Sequence, residues 1–127
     1  MIPKFRVWDT IKKAMSEVEA IVYTEEKVYP FYSKVIRRYI PFSEAILMQS
    51  TGLFDKNGKE IFEGDIVVNK YGNVGYVAYL QQEAGFVVVL KKSDYRLGHR
   101  NTGESYDVTT NHEIIGNIYQ NPELVEE

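Results

Sequence analysis

Apolar and polar residues alternate most clearly in the second half of the chain, from Asp65 onward. Successive side chains of a β-strand point to opposite faces, so this alternation predicts short strands separated by turn residues. The third predicted strand is apolar on both faces, which is typical of a central strand. The predicted strands cover 65–69, 74–80, 85–90 and 113–119.

Two turns precede these strands and lie within a single stretch, 51–67. Asp55-Lys56-Asn57-Gly58 predicts a tight reversal, because Asn and Gly tolerate positive φ and Asp can hydrogen-bond its own backbone. Glu63-Gly64-Asp65 predicts a second reversal, followed at once by β-branched Ile66 and Val67. The downstream β-structure is therefore expected to start from this stretch.

Short strands, tight turns and a glycine within a strand (Gly75) are typical of a small, strongly curved barrel. We therefore predict a mainly β fold in which 51–121 forms an SH3-like barrel, followed by an acidic tail at 122–127. Its polar segment 91–105 is predicted to be a long loop. The expected core residues are Phe62, Ile66, Val77, Phe86, Val88, Ile115 and Ile118.

Residues 1–50 are predicted to form an N-terminal β-rich portion, which is α+β if one segment is helical. That segment is 14–23, where apolar residues recur at helical spacing but β-rich neighbours favour a strand. The alternation of Lys4–Trp8 predicts a strand, and Val28–Tyr32 predicts another. Pro30 marks the latter as an edge or a bulge, because proline cannot donate to a ladder.

The composition is that of a soluble globular protein, with 127 residues, 44% apolar and 26% charged. The absence of cysteine excludes disulfides and thiolate zinc sites. The N-terminus lacks a signal-peptide core, and no apolar run reaches the roughly 18 residues of a membrane helix. The expected location is the cytoplasm, with no membrane partner.

Three blocks, Lys4–Asp9, Leu47–Val67 and Glu113–Leu124, resemble in order and spacing the YopX family of small phage and prophage proteins. The resemblance covers both ends and the middle of the chain, and leaves 15–44 and 70–112 unmatched in detail. It implies a protein encoded by a bacteriophage or prophage that acts in the bacterial host. It also implies a mainly β fold with an SH3-like barrel after an N-terminal β portion. The family supplies no named activity and no catalytic residue.

The acidic residues Asp55, Glu60, Glu63 and Asp65 could gather a divalent cation. Their spacing does not fit an EF-hand loop, and carboxylates near turns are common for hydrogen-bonding reasons alone. We therefore expect Asp55 and Asp65 to fix turns, Glu60 and Glu63 to face water, and no metal to be bound.

No motif supports catalysis or a bound cofactor. His99 and His112 are the only histidines, and neither has a second ligand at metal or triad spacing. Ser50 and Thr51 lie near acids without a base partner, and no nucleophile elbow or phosphate loop occurs. We therefore predict a non-enzyme, with a metal-dependent enzyme as the least favoured alternative.

One concentrated basic segment, 91–100, suggests nucleic-acid binding as an alternative function. Cations neutralise phosphates and an aromatic ring can stack on a base. A second basic cluster contains Lys34, Arg37 and Arg38 beside Tyr32 and Tyr39. The candidate nucleic-acid residues of the loop are Lys91, Lys92, Tyr95, Arg96 and Arg100.

Ten tyrosines, six phenylalanines and one tryptophan exceed what the core of so small a chain can bury. Tyr and Trp are favoured at protein interfaces, so some should form an exposed binding face. We predict an interaction protein that self-associates, most simply as a symmetric homodimer, or binds a phage or host protein. The candidate interface residues are Trp8, Tyr29 and Tyr32.

Overall fold

A computed structural model describes residues 2–31, 37–81, 85–89, 94–96 and 111–125, and at 80 and 94–96 it describes the backbone alone. The chain divides into two compact units, Met1–Gln49 and Ser50–Glu127, which we call unit 1 and unit 2. No helix within the described ranges is long and apolar enough to cross a membrane.

The described secondary structure consists of antiparallel strands and two single-turn 3₁₀ helices, so the predicted mainly β fold is confirmed. The 3₁₀ helices are η1 (Phe42–Glu44) and η2 (Pro122–Leu124). The strands are β1 (Phe5–Asp9), β2 (Ala14–Val22), β3 (Lys27–Pro30), β4 (Ile40–Pro41), β5 (Ala45–Phe54), β6 (Glu60–Phe62), β7 (Asp65–Val68), β8 (Val74–Leu80), β9 (Gly85–Val89), β10 (Asp94–Arg96) and β11 (Glu113–Asn117).

Unit 1 is a sheet with the hydrogen-bonded order β4-β3-β2-β1-β5, in which β5 contributes its first half. The ambiguous segment 14–23 is a strand, as favoured from its neighbours. Val7, Val28 and Ile40 are fully buried and form the centre of the core. These three β-branched side chains belong to three different strands, so the core holds the sheet together.

The N-terminal strand β1, which carries the predicted interface residue Trp8, lies between β2 and β5. Trp8 pairs with Met15 on one side and Ile46 on the other, and it is only 8% exposed. A strand with two partners in the same chain has no free edge to offer.

The pairing of β2 with β3 shifts register between Val18 and Ala20, because Val18 lies opposite Pro30 and Ala20 opposite Tyr29. Glu19 is therefore the extra residue of a β-bulge. The register shift thus lies opposite Pro30, but its extra residue belongs to β2 rather than to β3, and it leaves an acidic side chain out of the regular alternation of β2. The alternative prediction, that the strand of Pro30 is an edge strand, is wrong because β3 also pairs with β4.

Strand β5 continues from unit 1 into unit 2, where its second half pairs with β6. The register shifts between the pairs Ser50–Phe62 and Phe54–Glu60. The connection from β5 to β6 contains the predicted tight turn, with Gly58 at φ 84°. This is the left-handed region, which glycine adopts without the strain of a side chain.

The main sheet of unit 2 has the order β10-β9-β8-β7-β11. Its core is formed by Ile61, Val67, Val77 and Val88, with Phe86 and Ile114 packed against it. Of the predicted core residues, Phe62, Ile66, Val77 and Val88 are buried, and Phe86 and Ile118 are partly buried.

The expected burial of Ile115 is wrong. The register of β11 against β7 shifts between Ile114 and Gly116, which removes Ile115 from the regular alternation of the strand. Ile115 is therefore 38% exposed, and Ile114 packs against the core instead. A single bulged residue thus reverses the face that simple alternation predicts.

The order of the described strands in unit 2 is open, since no ladder among them joins β10 to β11. The closed SH3-like barrel is not confirmed. The predicted loop 91–105 is wrong over 94–96, where β10 pairs with β9. Three residues between polar neighbours are too short for periodicity to identify as a strand.

Candidate interaction surface

The predicted nucleic-acid residues lie largely beyond the described ranges. Lys91, Lys92 and Arg100 fall outside them, and Tyr95 and Arg96 lie in β10, of which only the backbone is described. Tyr32, one of the predicted interface residues, and His99 also lie outside the described residues. The candidate interaction surface among the described residues therefore lies in unit 1.

Asp9 ends β1 and is nearly fully buried, with 3% of its surface exposed. Its Oδ1 accepts hydrogen bonds from the backbone N–H groups of Ile11 (3.0 Å) and Lys12 (3.1 Å), which fixes the turn between β1 and β2. Arg37 donates from Nε to Oδ2 (2.8 Å) and from Nη2 to Oδ1 (2.8 Å). This two-pronged geometry is the strong form of an arginine–carboxylate pair.

The carboxylate of Asp9 is held in its charged form. Burial alone would raise its pKa, but the bonds from Arg37, Lys12 and Ile11 outweigh burial and lower the pKa below its ordinary value. Arg37 also reaches Oε1 of Glu44 at 2.7 Å. The two carboxylates, Asp9 first, raise the pKa of Arg37 further above its ordinary value.

We call the contacts of Arg37 with the carboxylates of Asp9 and Glu44 the Arg37 clamp. The clamp fixes the chain directly before β4. Thr10 donates from its backbone N–H (3.0 Å) and its hydroxyl (2.9 Å) to the carbonyl of Glu44, so the segment 37–44 is attached at both of its ends to the turn after β1. Within it, Ile40 pairs with Val28 and Pro41 with Lys27. Between the two attachments, Arg38 and Tyr39 are exposed, whereas Ile40 is fully buried.

Aromatic rings gather at both ends of β4. Tyr39, just before it, lies 6.2 Å from Tyr29 between ring centroids, and Nζ of Lys27 lies 4.3 Å from the centroid of the Tyr39 ring. Phe42, just after it, makes an edge contact with Tyr23 at 6.0 Å. Because Phe42 also packs against the core of unit 1, we call the other pair alone, Tyr29 and Tyr39, the aromatic patch.

These four rings are open to solvent to different degrees. Tyr23 is 73% exposed and Tyr39 is 41% exposed, whereas Tyr29 and Phe42 are half-buried. Phe31, immediately after β3, is 54% exposed. Large apolar rings left this open on one unit are a feature of binding surfaces rather than of cores.

Two grooves border the patch and share one residue. The first has a volume of about 450 Å³ and is lined by Glu19, Ala20, Tyr29, Pro30 and Arg38. The second, of about 290 Å³, is lined by Arg37, Arg38, Tyr39 and Pro41. Arg38 therefore lies on the wall between them.

The hydroxyl of Tyr29 donates to Oε1 of Glu25 at 3.0 Å. This bond to a carboxylate raises the pKa of Tyr29 above its ordinary value, so the phenol stays protonated and neutral. Of the predicted interface residues, Tyr29 thus lies in the candidate surface, whereas Trp8 is buried in the sheet.

In unit 2 the two aspartates of the stretch 51–67, Asp55 and Asp65, fix turns, as expected. Asp55 is fully buried, and its Oδ1 accepts from Asn57 N–H (2.9 Å) and Lys59 N–H (2.8 Å) while Oδ2 accepts from Ile114 N–H (3.0 Å). Oδ2 of Asp65 accepts from Phe62 N–H at 2.8 Å. Burial raises the pKa of Asp55, but the three N–H bonds outweigh burial and lower it.

The remaining acids of that stretch are only half-buried. Glu60 accepts a hydrogen bond from the Ser50 hydroxyl, and both Glu60 and Glu63 keep part of their surface exposed to water. No group of three or more metal-binding side chains occurs in the part of the chain that the structure describes.

His112 is partly buried, and burial lowers its pKa below the ordinary value of 6.5.

The Arg37 clamp was not predicted as a structural feature, because its two ends are 28 residues apart in sequence. Arg37 was grouped instead with the nucleic-acid cations, on charge alone. The local signal for Asp9 was present, since an aspartate followed by a polar turn commonly caps that turn. Its distant partner is set by the fold and leaves no periodic pattern.

Comparisons with known proteins place this chain in a family. The family model described as YopX protein matches residues 4–126. The crystal structure of protein EF1440 from Enterococcus faecalis is similar, with 34% identity, a TM-score of 0.67 and coverage of 99% of both chains. Protein YopX from Bacillus subtilis shares the fold at 22% identity and TM-score 0.57, over 98% of this chain and 96% of the other. No curated protein matches the chain.

Proposed function

We propose, from the premise that the chain belongs to the YopX family, that it is a non-catalytic interaction protein which binds another protein through the aromatic patch of unit 1. The resemblance to phage and prophage proteins makes the expected setting a phage-infected or lysogenic bacterial cell. The partner is a second copy of the chain in the simplest case, and a phage or host protein otherwise.

The observation that carries this proposal is the exposure of tyrosine rings on backbone that is held by strand pairing or by the Arg37 clamp. Tyr39 lies within the segment that the Arg37 clamp attaches to β1, and Tyr29 lies in a strand paired on both sides. Rings on a fixed backbone lose little conformational freedom on binding, which is why tyrosine is favoured at interfaces. A core of this size has no further room for them.

Charge favours a protein over a nucleic acid at this surface. Arg37, a cation of the second predicted basic cluster, is already paired with two carboxylates. Glu19 lines the larger groove, and Glu25 bonds to Tyr29 beside it. Carboxylates at the same place repel a phosphate backbone, whose binding depends on uncompensated cations.

Light scattering on the purified chain tests the proposal. We expect a mass above the 14.7 kDa of a single chain, because a symmetric pair would cover the exposed rings. Tyr39→Ser should shift the equilibrium toward the single chain. The matched control is Tyr79→Ser in unit 2, since Tyr79 is similarly exposed (45%) but lies outside the patch.

A mass of 14.7 kDa over a wide concentration range would contradict self-association. Titration with labelled single- and double-stranded oligonucleotides completes the test. Tight binding at low salt that weakens steeply as salt rises would instead favour the nucleic-acid alternative through Lys91, Lys92, Arg96 and Arg100.

A further inference from the structure

We infer that the larger groove binds an extended segment of the partner that carries one acidic side chain, with the carboxylate of that side chain paired to Arg38. This inference rests on the proposed function and names the chemistry of the partner. It is carried by the lack of a hydrogen-bond or ion-pair partner for Arg38 among the described residues, by the residues that line the groove and by the position of Glu19.

Arg38 and its neighbour Arg37 differ in what they contact. Arg37 is bonded to two carboxylates. Arg38 is exposed, and among the described residues it donates no hydrogen bond and forms no ion pair. Its planar guanidinium matches a carboxylate with two parallel bonds, so a carboxylate from outside the chain is the natural partner.

The position of Arg38 is fixed in advance by its neighbours. The Arg37 clamp holds the preceding residue, and the pairing of Ile40 with Val28 holds the chain two residues later. The guanidinium is therefore presented from a backbone that need not be ordered on binding. A site whose backbone is already in place loses less free energy when a ligand binds.

The bulge opposite Pro30 shapes the rest of the groove. Glu19 is the extra residue of the bulge, and the small side chain of Ala20 beside it leaves room above the strand. Tyr29 and Pro30 supply apolar walls. A groove lined by residues of two paired strands, with a cation on one wall, fits a chain in extended conformation better than a compact small molecule.

Glu19 limits how much negative charge the groove accepts. One carboxylate on Arg38 gives a neutral pair, while further anionic groups would meet the carboxylate of Glu19. The groove is therefore expected to prefer a peptide with a single acid over a strongly anionic ligand such as an oligonucleotide. Removal of the Glu19 charge should relax that preference.

The test is a titration of the ¹⁵N-labelled full chain with acetyl-Pro-Glu-Pro-amide, followed by chemical shifts. The control peptide is acetyl-Pro-Gln-Pro-amide, which has the same shape and no charge. We expect the shifts to centre on Ala20, Tyr29 and Arg38, with the glutamate peptide binding about threefold to tenfold more tightly. Arg38→Gln should remove this preference, whereas Lys70→Gln, which changes a cation beside Tyr71 in unit 2, should leave it.

Equal binding of the two peptides, or the absence of shifts at the groove, would overturn the inference. Tighter binding of oligothymidylate at the same residues would also overturn it and assign the groove to nucleic acid. Light scattering on the same sample separates this outcome from the proposed function. A mass above that of one chain without a glutamate preference would reject the acidic segment and retain self-association.

Discussion

Each unit of the molecule contains a buried aspartate that has two structural roles. Asp9 in unit 1 and Asp55 in unit 2 both fix a turn by accepting N–H bonds from the residues that follow. Both also hold a distant segment. For Asp9 that segment is attached by the side chain of Arg37, whereas for Asp55 it is attached by the backbone N–H of Ile114 in β11.

The difference lies in what the distant partner contributes. A backbone N–H is present whatever the residue, so the Asp55 contact depends on the aspartate alone and secures the fold of unit 2. The Asp9 contact depends on two side chains and secures the segment that exposes Arg38 and Tyr39. The same local motif, a buried aspartate that accepts N–H bonds from its own turn, thus stabilises the fold of unit 2 and positions the proposed binding segment of unit 1.

The largest effect is expected for Asp55→Ala. The change leaves three N–H groups without their buried acceptor, and an unsatisfied buried donor costs about 1–3 kcal/mol. Some of these N–H groups can form hydrogen bonds to water in the variant. We therefore expect a loss of about 3–5 kcal/mol in the free energy of unfolding, measured with urea.

The matched control is Asn69→Ala. Its Oδ1 accepts N–H bonds from Tyr71 and Asn73 in a similar turn, but in an exposed hairpin. We expect a loss of about 1 kcal/mol or less there, because water replaces the acceptor. Equal losses for the two variants would refute the role of burial at Asp55.

A smaller loss is expected for Arg37→Met, which removes the cation and leaves Asp9 buried with its two N–H donors. The free energy of unfolding should fall by about 2 kcal/mol, less than for a fully buried pair because Arg37 is 26% exposed. The control variant Lys56→Met removes an exposed ion pair with Glu113 and should change the free energy of unfolding by about 0–1 kcal/mol. Indistinguishable losses would mean that the clamp contributes no more than a surface ion pair.

The far end of β11 provides the next comparison. Asn121 Oδ1 accepts from Asn117 N–H at 3.2 Å, and a Cβ at Gly116 would lie 2.5 Å from that oxygen. Gly116→Ala should therefore destabilise unit 2 by about 1–3 kcal/mol, with part of the loss recovered in the double variant with Asn121→Ala. No recovery would show that backbone conformation, rather than the close contact, requires glycine.

The smallest expected effect depends on pH. His112 has a lowered pKa in the folded chain, so below the ordinary value of 6.5 the unfolded chain binds a proton more readily and stability falls as the pH drops. The lowered pKa values of Asp9 and Asp55 affect the stability only when the pH falls below about 3.8, the ordinary pKa of an aspartate. The urea midpoint should therefore decline between pH 7 and 5, and His112→Gln should abolish that decline. A decline that persists in this variant would exclude His112 as its source.

In both units, features built from neighbouring residues could be predicted from the sequence, whereas features that depend on distant residues could not. Turns such as Asp55–Gly58 are built from neighbouring residues, and their glycines and aspartates indicate them directly. The Arg37 clamp and the enclosure of β1 depend on residues far apart in sequence. Ile115 and β10 were mispredicted because a bulge or a three-residue strand leaves no periodic signal.

The interaction surface could be predicted only in part. An excess of tyrosine over core capacity indicated that some rings are exposed, and Tyr29 does border the larger groove. Trp8 is buried, because its strand gained a partner on each side. Composition can show that a surface exists, whereas the pairing order decides which residues form it.

Amide hydrogen exchange, compared between Asp9→Asn and Asp55→Asn, tests most directly whether each aspartate holds its own distant segment. We expect Asp9→Asn to accelerate exchange mainly at the Phe42 N–H, which bonds to the carbonyl of Glu26, and Asp55→Asn to do so mainly at Lys56 and Ile114. A uniform acceleration in both variants, without a local maximum at those amides, would contradict the assignment of separate roles to the two residues.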